Sequence, residues 1–126
     1  MSGARLPNAA SATAADAKFR DYLLDANHPM NGGKAAFFQL SGFNRANWFV
    51  LKTALLDHPH ANPVSATVRT QWGDTYEVVC NCQSPDGRNP CVKSVWVIEP
   101  ISTDPKFVTA YPASRPGAGS AGTEVP

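Results

Sequence analysis

Residues 64–82 read VSATVRTQWGDTYEVVCNC, and this stretch decides the fold. Val64, Ala66, Val68, Thr70 and Trp72 alternate with Ser65, Thr67, Arg69 and Gln71. A period of two fits a strand with one buried side, not a helix. Gly73-Asp74 is a tight-turn signal, after which Tyr76, Val78, Cys80 and Cys82 resume the alternation. The stretch therefore predicts a β-hairpin. Downstream, residues 84–90 (SPDGRNP) carry the residues of a loop. Residues 91–99 (CVKSVWVIE) are the most apolar strand candidate and belong near the centre of a sheet. Residues 100–105 form another loop, residues 106–111 a short last strand, and Pro112 ends it.

Upstream of the hairpin the period changes to 3.6. Asp16 caps a predicted helix over residues 16–25, with Phe19, Tyr22, Leu23 and Ala26 on one stripe. His28-Pro29 ends it, because the residue before proline avoids the helical region. Asn31-Gly32-Gly33 forms a turn, residues 34–40 a short apolar helix, and Gly42 its stop. Asn44 caps a third helix carrying Trp48, Leu51 and Leu55, flanked by Phe49 and Leu56. That helix is predicted to reach about Asp57, with Pro59 closing it and His58-Pro59-His60 as surface loop. The expected fold is α+β: about three N-terminal helices packed on one face of a four-stranded antiparallel meander. Residues 1–12 read as a flexible segment, 13–112 as a single domain and 113–126 as a disordered tail or linker.

Composition narrows the function by exclusion. Eleven Lys+Arg against ten Asp+Glu give a net charge of +1, so no global basic field marks a nucleic-acid coat protein. No apolar run approaches the roughly 20 residues of a membrane span, and residues 1–16 lack the apolar core of a signal peptide. These features predict a soluble, cytoplasmic chain with no membrane partner. Three cysteines cannot all pair in disulfides. Cys80, Cys82 and Cys91 read mainly as buried thiols. A Cys82–Cys91 bridge, or a zinc site completed by His58 or His60, stays open as a lesser alternative. No cofactor or metal is expected.

The segment His28-Pro29-Met30-Asn31-Gly32-Gly33-Lys34 holds the strongest local chemistry. Imidazole changes charge near neutral pH, and glycine lets backbone amides approach an anion next to a lysine at a helix start. The same segment also reads as an exposed turn between helices. A second group is Arg88, Lys93, Thr109 and Tyr111. Lys93 shares a strand face with Val95 and Val97, and Thr109 and Tyr111 share a face with Phe107. Each also has a structural reading, as a snorkelling lysine or a core-edge tyrosine. In metal-free RNA cleavage, His28 would take the 2′-hydroxyl proton or protonate the leaving oxygen. Lys34 and Arg88 would neutralise the pentacoordinate phosphate, and Thr109 or Tyr111 would orient it or supply the second proton. Gly33 and Lys93 would line the phosphate site. Trp72, beside the predicted turn, would stack on a base.

The residues Leu6-Pro7-Asn8, Tyr22-Leu23-Leu24, His28-Pro29, Gly33-Lys34-Ala35, Phe37-Phe38, Gly42-Phe43, Trp48, Asp86-Gly87-Arg88, Trp96-Val97-Ile98 and Thr109-Ala110-Tyr111-Pro112 form a recognisable pattern. With them the chain resembles a family of small uncharacterised bacterial proteins, a domain of unknown function. The resemblance implies a module at the C-terminus of larger bacterial or phage-associated proteins, or a stand-alone protein encoded beside a small partner. In architecture the chain also looks like the barnase, colicin and RelE-type ribonuclease toxins. That likeness implies cleavage of an RNA substrate without metal, by His, Lys, Arg, Thr or Tyr side chains, under control of a cognate antitoxin or immunity protein. The competing expectations are a non-enzymatic interaction module and the antitoxin or immunity side of such a pair.

Overall fold

A computed structural model describes residues 4–25 and 34–113. It is α+β, with three helical segments before an antiparallel four-stranded sheet. The helical segments are α1 (Asp16–Lys18), running on into a π-helical turn (Phe19–Leu23), α2 (Lys34–Leu40) and α3 (Trp48–Ala61). The strands are β1 (Val64–Thr70), β2 (Gly73–Asn81), β3 (Cys91–Ile98) and β4 (Lys106–Pro112), paired in the order β1-β2-β3-β4.

The alternation of β3 sets the two faces of the sheet. Val92, Ser94 and Trp96 are buried toward the helices, whereas Lys93, Val95 and Val97 are half-buried on the other face. Register carries this across the sheet. Ser94 lies opposite Val78 and Ala110, and Lys93 lies opposite Val79 and Tyr111. Trp96 anchors the core, with its ring edge-on to Phe107 at 5.3 Å, and Phe107 stacks on Phe19 at 5.2 Å. Leu23, Leu24, Phe38, Phe43, Leu51 and Leu55 fill the space between helices and sheet. Each such buried side chain contributes about 1.5–3 kcal/mol before conformational entropy is set against it.

Several local expectations shift. The first helix does not keep the α-helical period. The Leu24 N–H donates to Phe19 O, an i→i+5 bond, so Phe19, Leu23 and Leu24 enter the core together. Asp16 makes no capping bond; its carboxylate instead pairs with Lys52 at 2.6 Å. The hairpin turn falls at Gln71 and Trp72, and Gly73 already belongs to β2. Gly73 has φ 131°, and a Cβ there would collide with the Ile98 carbonyl. The glycine thus serves close approach to β3 more than the turn itself. Helix α3 runs through Pro59 to Ala61, overturning the expected stop at that proline. His58 and Pro59 are buried beneath it, not surface loop. Two boundary signals, a stop and a cap, fall where expected. Gly42, with φ 100°, ends α2 as Phe43 N–H bonds back to Phe38 O, and Asn44 with Asn47 forms a reciprocal capping box.

Residues 4–12, expected to be a flexible segment, are built into the fold. The Val64 N–H donates to Ala4 O at the β1 edge, and Leu6 is buried. Further on, Thr13 exchanges bonds with Pro105 and Phe107 at the β4 edge, and Lys18 Nζ donates to Val108 O. The outer edge of β4 is thereby covered. The predicted turn at His28–Gly33 and all but Ala113 of the predicted tail lie outside the described residues. Among the described residues no helix is long and apolar enough to cross a membrane.

Candidate functional site

The β4 side of the sheet gathers a polar cluster. Register sets Tyr111 beside Lys93 and Thr109 beside Val95, on the face opposite the core. A shift between Val95 and Trp96 turns Phe107 to the core face, so the three do not share a face as strict alternation predicts. Helix α2 begins at Lys34, whose ammonium reaches this same place. Lys34 Nζ donates to Thr109 Oγ1 and to the Tyr22 hydroxyl, both at 3.0 Å. It lies 5.4 Å from the centre of the Tyr111 ring. Its 5.1 Å separation from the Tyr22 ring centre follows from the hydroxyl bond, so Tyr22 acts as an acceptor here and not as a π face.

An ammonium has three N–H donors. Two of those on Lys34 are accepted by hydroxyls, and the group pairs with no carboxylate among the described residues. Nor does the Thr109 hydroxyl proton meet an acceptor among them. Two donors and one positive charge therefore converge with nothing anionic to meet them among the described residues. On the other side of Tyr111, Lys93 Nζ pairs with Glu77 at 3.2 Å and lies 5.5 Å from the tyrosine ring. Partial burial works against the Lys93 charge, but Glu77 and Tyr111 outweigh it and hold the pKa above the ordinary lysine range.

Lys34, Lys93, Thr109 and Tyr111, named from sequence, thus come together. His28 and Gly33 lie outside the described residues. Arg88 and Trp72 are placed elsewhere. Arg88 is 71% exposed in the β2–β3 loop, where its Nε pairs with Asp86 at 2.9 Å. That carboxylate accepts the Arg88 backbone N–H and the Ser84 hydroxyl, and these bonds hold its pKa below the usual carboxylate range. Trp72 caps the β1–β2 turn, at the end of the sheet marked by Ile98. Ile98 is five steps along β3 from Lys93, about 17 Å along the strand.

Two cluster members escaped the sequence reading. Tyr22 was assigned to the core stripe, and only the π-helical turn redirects it. Glu77 carried a usable signal, since it lies diagonally from Lys93 once the β2–β3 register is known.

A second polar cluster was also missed, and it lies in the core. His58, 1% exposed, bonds through Nδ1 to Ser94 Oγ at 2.8 Å and through Nε2 to Cys80 O at 2.7 Å. Because Cys80 O can only accept, Nε2 carries the proton and Nδ1 accepts from the Ser94 hydroxyl. Ser94 Oγ in turn accepts from Trp96 Nε1 at 2.8 Å. Burial pushes the His58 pKa below 6.5 despite the Cys80 and Val92 backbone bonds, so the ring is neutral near pH 7. Cys80 adopts φ 139°, a strained value for a residue with a side chain, and its carbonyl meets His58. These bonds commit His58 to structure and remove it from the zinc set considered from sequence. The three cysteines are free thiols, and burial pushes the Cys82 pKa up to about 12. Among the described residues no cluster of three or more His, Cys, Asp or Glu is arranged to hold a metal ion.

Among solved structures the chain is similar to one in a contact-dependent growth inhibition toxin–immunity protein complex from Klebsiella pneumoniae 342. The match has a TM-score of 0.63 at 17% identity and covers 79% of this chain and 98% of that one. At that identity the likeness is one of fold. Among curated proteins none matches. The family described as Domain of unknown function (DUF6883) matches residues 5–114, most of the sequence, and the chain belongs to that family.

Proposed function

We propose that this domain is a toxin-type ribonuclease that works without metal, with Lys34, Thr109 and Tyr111 as its phosphate clamp. The observation that supports this most directly is the state of Lys34: a charged donor braced by two hydroxyls, with no anionic partner among the described residues. A phosphodiester oxygen would take the free Lys34 N–H and the Thr109 O–H together. Such preorganised donors act most strongly on the extra negative charge of a pentacoordinate phosphate. In the proposed reaction the substrate 2′-oxygen bonds to phosphorus as its proton passes to His28. The bond from phosphorus to the 5′-oxygen breaks, and that oxygen takes a proton from Tyr111. Lys93 keeps a second positive charge beside Tyr111. The fold likeness to a chain from a toxin–immunity complex supports control by a cognate partner protein.

A second reading, an immunity-type or interaction module, draws on a different surface. Two adjoining hollows of about 270 and 370 Å3 run along α3 and share Ala54, Asp57 and Gln83. Asp57 forms no ion pair among the described residues, which suits a basic partner side chain. Purified protein incubated with RNA in EDTA separates the readings. Cleavage that falls about 100-fold in Lys34→Met supports the nuclease. Intact RNA, together with normal growth of cells expressing the chain, selects the interaction module.

A further inference from the structure

We infer that Tyr22 is the positioning residue of this clamp and that the π-helical turn serves to deliver it. This rests on the phosphate-clamp reading of Lys34.

In an α-helix starting at Asp16, residues 19, 22 and 23 share one stripe, and Tyr22 would point into the core beside Phe19. The π-helical turn spans Phe19–Leu23, and the i→i+5 bond from Leu24 N–H to Phe19 O inserts one extra residue per turn. Leu24 thereby takes the place under Phe19, and Leu23 stays buried beside it. Tyr22 is turned to the rim of the core, half-buried and still packed against it, and its hydroxyl lies 3.0 Å from Lys34 Nζ. An α-helical register would bury the tyrosine and leave the lysine without that bond.

The contact matters because lysine is a flexible point charge on a four-carbon stem. Thr109 alone is one bond and leaves the ammonium free to pivot about it. Tyr22 supplies the second bond and fixes the direction of the remaining N–H. The two acceptors come from different layers, one from the first helical segment and one from β4. Lys34 is therefore held at the junction of helix layer and sheet. An anion arriving there meets a donor already oriented.

Tyr22→Phe keeps the ring and removes only the hydroxyl, so the full-length chain can be tested directly. Binding of adenosine 3′-monophosphate, measured calorimetrically, should weaken about ten-fold, the usual scale for a hydrogen bond to a charged group. In a Lys34→Met background the same substitution should change nothing, because the bond it removes is already gone. The hydrogen-bonded Lys34 NζH3 signal, visible at low temperature in 15N-labelled protein, should broaden beyond detection in Tyr22→Phe. Native affinity and an unchanged signal in Tyr22→Phe, with binding lost in Lys34→Met, overturn the role of Tyr22 and leave the clamp standing. Equal losses in both backgrounds also overturn it, since they report a general structural effect. If neither variant alters nucleotide binding, the clamp itself is wrong and the role of Tyr22 falls with it.

Discussion

Two polar clusters in this domain are built on opposite rules. Around His58 every proton has a destination: Trp96 donates to Ser94, Ser94 to His58, and His58 to Cys80. Around Lys34 the cation is braced, yet an N–H and a hydroxyl proton are left without acceptors among the described residues. A buried polar group left unsatisfied is costly, so the sealed cluster reads as architecture. A half-exposed cluster tolerates open valences because water or a ligand can fill them. The difference separates a histidine that holds the fold from a lysine available for chemistry, although histidine is the more usual catalyst.

The strongest way to break this contrast is His58→Ala. It takes away the acceptor of the Ser94 hydroxyl proton and a donor to the Cys80 carbonyl, and opens a cavity. Urea unfolding should show a loss of about 3–4 kcal/mol. A loss under about 1 kcal/mol would mean the sealed cluster is not structural. Lys34→Met should behave in the reverse way, with stability within about 1 kcal/mol of native and RNA cleavage down about 100-fold.

Acid should find the sealed cluster. The His58 pKa lies below its unfolded value of 6.5, so between the two the unfolded chain binds a proton that the folded chain refuses. The contribution is complete above pH 6.5 and is lost as pH falls through the window between those values, at up to about 1.4 kcal/mol per pH unit. Unfolding curves at pH 7.5 and 5.5, compared between native protein and His58→Phe, isolate it. An equal pH slope in both proteins would show that another group is responsible. The smallest effect belongs to Glu77→Gln. It loosens a half-exposed ion pair with Lys93 and should change stability by no more than about 1 kcal/mol.

Much of the layout was legible in the sequence, for identifiable reasons. The alternation in residues 64–82 and the turn residues of 84–90 are local signals, and they yield the meander. Gly42 and Asn44 are local too, and the stop and the cap fall where expected. The failures occur where distant groups override local rules. His58-Pro59-His60 reads as a loop because proline disfavours helix interiors. Nothing near it in sequence shows that the Ser94 hydroxyl will donate to its imidazole and that the carbonyl of a strained Cys80 will accept from it. Lys93 emerges from strand alternation and Lys34 from its place at a helix start, whereas Thr109 and Tyr111 were named by residue type on a face that the register shift in β4 separates from Phe107. Tyr22 does not, because a π-helical turn leaves no periodic signature in five residues. Arg88 had only its residue type to recommend it, and Asp86 in its own loop claims the guanidinium.

The path of residues 4–13 has a mechanical consequence. It ties the first strand and the last strand to a single stretch of chain, through Ala4 at one edge and Thr13 at the other. Tension applied at Ala4 loads these ties in series: the Val64 bond first, then the seat of Leu6, then the pair at Thr13. The sheet is reached only after they have given way. In a force trace the domain should therefore yield in one small early step before the main rupture. Pulled from Ala113 it has no such prelude, because β4 is loaded directly against β3.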